Sequence, residues 1–236
     1  MRIQMKSLPF LQNKKLILIH FLILPIIQIL VILLLNQQYA KALNPQVAMA
    51  SVYLSANSFC LSTMAYLLVV DYLSQIFREV LVHKPWSLSY WGIKLATSLF
   101  LSLIMFLING DLLLMIGVDS LYFWRCLAAL PLSLLFSAGL GIAGYLLSVH
   151  RDNIYLFTNL FTAILPLMAG VVAPISAYPP LFKEASYVFP YGQVVEGIYQ
   201  GETTALLVLV YIVIIFAFNY FCLKGLKKTA YGRLGI

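Results

Sequence analysis

Residues 71–94 read DYLSQIFREVLVHKPWSLSYWGIK. They separate two long hydrophobic runs and carry clear helical periodicity. Leu73, Ile76, Phe77, Val80 and Leu81 recur at i, i+3, i+4, i+7 and i+8, which is one apolar stripe. Asp71, Gln75, Arg78 and Glu79 fall on the opposite side. The pattern predicts a short amphipathic helix over 71–82, lying flat with its apolar face in lipid or protein and its polar face in water. Pro85 ends it, and Trp86, Tyr90 and Trp91 supply interfacial anchors before the next apolar run.

What surrounds this stretch is membrane protein. Of 236 residues, 62% are hydrophobic and only 10% charged, a balance foreign to soluble domains. Apolar runs of this length predict spanning helices. The chain divides into six spans, at about 16–35, 47–70, 92–115, 121–149, 154–172 and 204–223, in one all-α transmembrane domain covering 1–236. Arg2, Lys6, Lys14 and Lys15, interleaved with Ile3, Met5, Leu8, Phe10 and Leu11, predict a basic amphipathic segment ahead of the first span. That start resembles a signal peptide, but the run at 16–35 is long enough to span and no small-residue cleavage site follows, so it reads as a retained span. The segment 173–203 contains Pro174, Pro179, Pro180 and Pro190 among apolar residues. It predicts a pair of short helices re-entering the outer leaflet, buried in protein or facing water.

Charge sets the orientation. With the N-terminus cytoplasmic, the inside segments hold Arg2, Lys6, Lys14, Lys15, Arg78, Lys84, Lys94, Arg151, Lys224, Lys227, Lys228 and Arg233, twelve of the fifteen basic residues. Lys41, Arg125 and Lys183 lie outside. This asymmetry predicts a multi-pass protein with both termini cytoplasmic and the 71–82 helix on the cytoplasmic side. The net charge of +7 is therefore a topology signal, and no nucleic-acid partner is expected.

Several motifs have a bland explanation. GLGIAG at 139–144 has the form GxGxxG but lies inside an apolar run, without the strand and helix N-terminus that a dinucleotide site needs. Ser133, Ser137, Gly141, Gly144 and Ser148 follow at steps of four and three, a small-residue face for helix packing. Cys60, Cys126 and Cys222 show no metal spacing and read as packing residues. Ser51, Ser55, Ser58 and Ser62 line one face of span two, with Asn57 and Thr63 beside it. That face suits interhelical hydrogen bonding or the wall of a translocation path, and both hold if the path follows a subunit seam. His20 reads more readily as structural than as a proton relay. Asp111 and Arg125, near the outer ends of spans three and four, are placed to pair.

The same inventory excludes whole classes of function. His20, His83 and His150 are far apart and form no zinc-protease motif. No mid-membrane carboxylate pair exists, and ionisable residues of the kind that line ion-coupled carriers are scarce. No catalytic residue or metal site is expected. The chain also lacks G-x-x-x-x-G-K-[ST], so it does not cradle ATP itself.

Two stretches carry a resemblance. Residues 77–94, FREVLVHKPWSLSYWGIK, look like the cytoplasmic segment of the permease subunits of type-2 ATP-binding cassette exporters, small six-span bacterial forms. Residues 169–199, AGVVAPISAYPPLFKEASYVFPYGQVVEGIY, look like that family's outer segment. The family often carries a Gly-Thr pair before the glutamate of the first stretch, and this chain does not. With the order of elements, the resemblance extends along essentially the whole chain.

The resemblance implies a mechanism. The 71–82 helix is a coupling helix seated in a separate ATP-binding subunit, present in two copies, with Asp71, Gln75, Phe77, Arg78 and Glu79 at the contact. ATP and Mg belong to that partner, and this chain needs no cofactor. Closure of the two ATPase subunits moves spans one, two and five, which line the path in this family. Ser51, Ser55, Ser58 and Ser62 are then path-wall candidates, and Phe182, Tyr187, Phe189 and Tyr191 outer-gate candidates. A second permease, identical or related, completes the transporter. The expected function is ATP-driven export of a hydrophobic or amphipathic cargo (an antimicrobial peptide, a drug or a lipid-like compound) from a bacterial plasma membrane, as in bacteriocin immunity or antibiotic resistance. The alternative is a non-transporting regulatory or scaffold membrane subunit.

Overall fold

Every regular element among the described residues of the computed structural model is helical; residues 2–40, 45–172, 175 and 178–234 are described. The basic N-terminal segment forms two short helices, Arg2–Lys6 (α1) and Pro9–Gln12 (α2), held down by the fully buried Leu8 between them. Lys14–Leu18 (α3), a π-helical turn at Ile19–Ile23 and Leu24–Ala40 (α4) follow. Then come Pro45–Leu73 (α5), Ile76–His83 (α6), Leu88–Met115 (α7), Ser120–Ser148 (α8), Leu156–Met168 (α9), Pro180–Ser186 (α10), Tyr191–Gln200 (α11) and Ala205–Leu234 (α12).

Five stretches are long and apolar enough to cross a membrane: Lys14–Leu35, Gln46–Leu73, Leu88–Met115, Ser120–Ser148 and Ala205–Lys228. The span expected at 154–172 contains only the 13-residue α9. At 1.5 Å per residue that is about 20 Å, against a hydrocarbon core of about 30 Å. Pro166 and the positive φ of Gly170 (69°) mark where its regular helix gives out.

The bundle is built around α5. Of its apolar window 78% is buried, against 22% for Lys14–Leu35 and 17% for Ala205–Lys228, which therefore lie at the periphery. The small-residue face of α8 explains the close approach to α5. A Cβ on Gly141 would lie 2.5 Å from the Leu61 carbonyl oxygen, so only glycine fits there. Ser133, Ser137 and Ser148 on the same face are fully buried. Further round α8, a Cβ on Gly144 would meet Thr158 Oγ1 of α9 at 2.9 Å, and one on Gly139 would meet Ile215 Cγ2 of α12 at 2.8 Å. Asn219 Nδ2 donates to the Gly139 carbonyl at 2.8 Å. Cys60 and Cys126 are buried among these contacts, and Cys222 is half-buried.

Helix directions follow from contact order. Gln46 meets Tyr122, Asn57 meets Ser137 and Tyr72 meets Tyr145, so α5 and α8 run parallel. Phe136 meets Tyr211, and Gly139 meets Ile215 and Asn219, so α8 and α12 also run parallel. Lys94 beside Leu67 and Ser98 beside Met64 make α7 antiparallel to α5.

The helix expected over 71–82 is divided. α5 continues through Leu73, the chain turns at Ser74 and Gln75, and α6 begins at Ile76. Gln75 adopts a left-handed conformation, φ 62°, which no continuous helix contains. Asp71 therefore belongs to the last turn of the long helix and not to the polar face of the short one. It is 4% exposed, with its Oδ2 2.7 Å from Lys94 Nζ. Phe77 and Leu81 are buried as the stripe requires, but Leu73 is 72% and Ile76 48% exposed. The following span starts at Leu88, four residues earlier than expected, because the Ser87 hydroxyl caps it by accepting from Tyr90 N at 3.4 Å. Asp111 and Arg125 do not pair: Arg125 Nη1 donates to the carbonyls of Ile198 and Tyr199 at 3.1 and 3.3 Å, and Asp111 is exposed. In the proline-rich segment, residues 173, 174, 176 and 177 lie outside the described residues. The two short helices expected there are α10 and α11.

Candidate functional site

Span one is not a plain helix, and the reason lies in Pro25. A proline has no N–H to reach back to the carbonyl four residues earlier, here Phe21, and its ring crowds that carbonyl. The chain responds with the wider π-helical turn at Ile19–Ile23 immediately before it. The Phe21 carbonyl is served from another helix: Asn109 Nδ2 of α7 donates to it at 2.8 Å and to the Met105 carbonyl at 2.8 Å. Both acceptors are carbonyls, which fixes the orientation of the Asn109 amide.

The turn sets His20 against a cavity of about 620 Å³. Its walls come from span one (Leu16, His20, Leu24, Pro25, Gln28), from α5 (Ser55, Ser58, Phe59, Ser62, Thr63, Tyr66) and from α9 (Thr162, Ala163). Pro9 and Phe10 of α2 and Met105 of α7 complete it. Phe10 stacks on His20 with ring centroids 5.2 Å apart and meets Phe59 edge-on at 5.7 Å. His20 Nδ1 lies 3.0 Å from the Leu16 carbonyl, so that nitrogen carries the proton and Nε2 is left as an acceptor. Among the described residues, no Asp, Glu, Lys or Arg lines the cavity.

The serine face of α5 divides here. Ser51 is fully buried, donates to the Val47 carbonyl at 2.6 Å and lies off the cavity. Ser55, Ser58 and Ser62 line it. The hydroxyls of Ser55 and Ser58 are buried and make no hydrogen bond, although back-bonding of the Ser51 kind is the usual outcome for a helical serine in an apolar setting. A buried hydroxyl without a partner costs on the order of 1–3 kcal/mol, so the two are held at a cost to stability.

The four expected gate aromatics do not form one cluster. Phe182 and Tyr187 are exposed, Phe189 meets Phe161 at 6.3 Å, and Tyr191 is fully buried elsewhere. Tyr191 instead locks α11 to the bundle. Its hydroxyl lies 2.6 Å from Ser137 Oγ, which in turn lies 2.7 Å from Asn57 Oδ1. Asn57 Nδ2 donates to the Tyr53 carbonyl, which fixes its amide. Ser137 gives its proton to Asn57 Oδ1, so the Tyr191 hydroxyl donates to Ser137 Oγ.

At the other end of α5, Arg78 and Glu79 are exposed on α6 beside Ile76, while Phe77 anchors the helix against Tyr145, with centroids 5.0 Å apart and planes at 85°. Gln75 is exposed at the break. Asp71 is turned inward. Lys94 is fully buried and, besides Asp71, reaches the Leu67 carbonyl and Gln4 Oε1, each at 3.1 Å. It ties α1, α5 and α7 together next to α6. Charge asymmetry alone puts Lys94 on the cytoplasmic side and gives it no partner. The only linear hint of the pair is two opposite charges at facing ends of consecutive spans.

No family model and no curated protein matches this chain.

Proposed function

We propose that this chain is the permease subunit of an ATP-driven exporter of the type-2 ATP-binding cassette kind, moving a hydrophobic or amphipathic cargo out of a bacterial cell. The observation that carries it is the cavity: its walls come from span one, α5 and α9, and its α5 wall sets Ser55, Ser58, Ser62 and Thr63 among apolar and aromatic side chains. A path that receives and releases a molecule is served by polar side chains set into an otherwise apolar wall.

Two further observations support the reading. α8 and α12 run parallel, so residues 149–204 must return from one end of the bundle to the other. α9 starts that return, which favours six crossings with both termini cytoplasmic. α6 presents Ile76, Arg78 and Glu79 outward from a helix anchored by Phe77 and Leu81. It is a short rigid face suited to a cleft in a separate ATPase subunit, its charges fixing register. The assembly comprises two ATPase subunits carrying ATP and Mg and a second permease, identical or related.

The double substitution Arg78→Ala, Glu79→Ala tests the contact. In a coupling helix it reduces ATPase-subunit association, or stimulation of its ATP hydrolysis, about tenfold, while the chain still inserts. Undiminished association and stimulation would leave α6 a surface helix and favour the regulatory or scaffold alternative.

A further inference from the structure

The cavity has a composition that selects among cargoes. Eight of its lining side chains are polar, Ser55, Ser58, Ser62, Thr63, Tyr66, Thr162, His20 and Gln28, and none is a carboxylate or a permanent cation. From Leu16 to Gln28 the span-one wall runs about 18 Å at 1.5 Å per residue. The polar groups are spread along the slot from Gln28 and Ser55 at one end to Tyr66 at the other, interleaved with Phe10, Leu24, Phe59 and Met105. The volume, about 620 Å³, falls in the range of drug-sized ligand sites, about 300–1,000 Å³.

From these features we propose that the cargo bound here is an uncharged amphiphile of drug size that carries several hydroxyl or amide groups. This rests on the export reading above and narrows its cargo. Charge is the first discriminator. A cation entering a slot lined by apolar groups and neutral hydroxyls loses its hydration without gaining a counter-ion, and so does an anion. A neutral molecule loses far less and meets partners throughout. Unpartnered hydroxyls are the second. Ser55, 2% exposed, and Ser58 line the cavity and carry buried hydroxyls whose donor and acceptor sites are unused, whereas Ser51, one turn from Ser55, is satisfied within its own helix. Unused hydrogen-bonding sites in an apolar wall discriminate strongly for ligands that fill them. The third is adaptability: the His20 ring offers Nε2 as an acceptor, and the Gln28 amide both donates and accepts, so the span-one wall matches either end of a hydroxyl or amide.

The test uses the full chain in nanodiscs and three radiolabelled probes of equal alkyl length: an alkyl N-methylglucamide, an alkyl sulfate and an alkyl trimethylammonium, with binding to empty nanodiscs subtracted. The expected result is saturable binding of the glucamide at least tenfold tighter than of either ion. Ser55→Ala and Ser58→Ala should each weaken glucamide binding several-fold, up to about tenfold, and Ser51→Ala should leave it unchanged. These small substitutions remove hydroxyls without adding bulk, so a folding defect does not mask the outcome. Either ion binding as tightly as the glucamide, or glucamide binding that is indifferent to Ser55→Ala and Ser58→Ala, overturns the proposal. ATP-dependent uptake into inverted vesicles separates this from the wider reading. Transport of the trimethylammonium in preference to the glucamide keeps the exporter and overturns the cargo class. Selective glucamide binding without transport of any probe keeps the site and counts against the exporter.

Discussion

Lys94 shows what a single residue can hide from a linear reading. A lysine at the start of a span ordinarily snorkels to the headgroups. This one is fully buried, 2.7 Å from Asp71. The linear pattern puts Asp71 on a polar helix face, because aspartate near arginine and glutamate in an amphipathic stretch normally faces water. The residue that draws it inward is twenty-three positions away, so no local pattern reveals the pair. Serines were more legible: their spacing alone placed Ser55, Ser58 and Ser62 on one face, but not which of them would find a backbone acceptor. Removing one partner of a buried pair leaves an uncompensated charge, at a cost of about 3–5 kcal/mol, whereas removing both is far cheaper. Lys94→Met should therefore destabilise the chain strongly, and Asp71→Leu with Lys94→Met should recover most of the loss. Thermal unfolding of the detergent-solubilised variants measures this. Equal destabilisation by the single and double variants would mean that the ion pair contributes nothing beyond the packing of its two side chains.

At the scale of elements, what could be foreseen depended on whether the signal was periodic. The small face of α8 repeats at steps of four and three, and it packs as that spacing requires, with Gly141 against the Leu61 carbonyl. The break at Gln75 and the π-helical turn in span one are single-residue events and leave no period. Pro25 stands inside span one, but the sequence does not say whether a proline kinks a helix, ends it or widens the turn before it. The wide turn persists here because Asn109 serves the Phe21 carbonyl. That dependence is testable as a coupling. Asn109→Leu should destabilise the chain by about 1–2 kcal/mol in the parent, and by less when Pro25→Ala restores an N–H able to reach Phe21. A double-mutant cycle read by thermal unfolding should give an interaction of about 1 kcal/mol between residues on different helices. Strict additivity would mean that Asn109 owes nothing to the proline.

At the scale of the whole molecule, the open question is the path of the chain between α8 and α12. Length alone counts five crossing helices, which would put the termini on opposite faces of the membrane. Helix direction argues otherwise. α8 and α12 lie side by side and run the same way, from the Arg125 and Gly201 end toward the Ser148 and Asn219 end. Two parallel spans in sequence need an odd number of crossings between them, and α9, packed against Gly144 of α8, is the one helix positioned to begin it. At about 20 Å it falls short of the core, so a sixth crossing would need α10 and α11 to cover the remaining depth. A crossing divided between a short helix and an interrupted segment would escape a count by length and hydropathy. Single cysteines decide it. Cys60 and Cys126 are buried, so replacing Cys222 with serine leaves a chain with little background toward a membrane-impermeant maleimide. In intact cells Lys183→Cys should label from outside and Asp152→Cys should label only after permeabilisation. If both label from the same side, α9 does not carry the chain across, and the topology with both termini cytoplasmic fails with it.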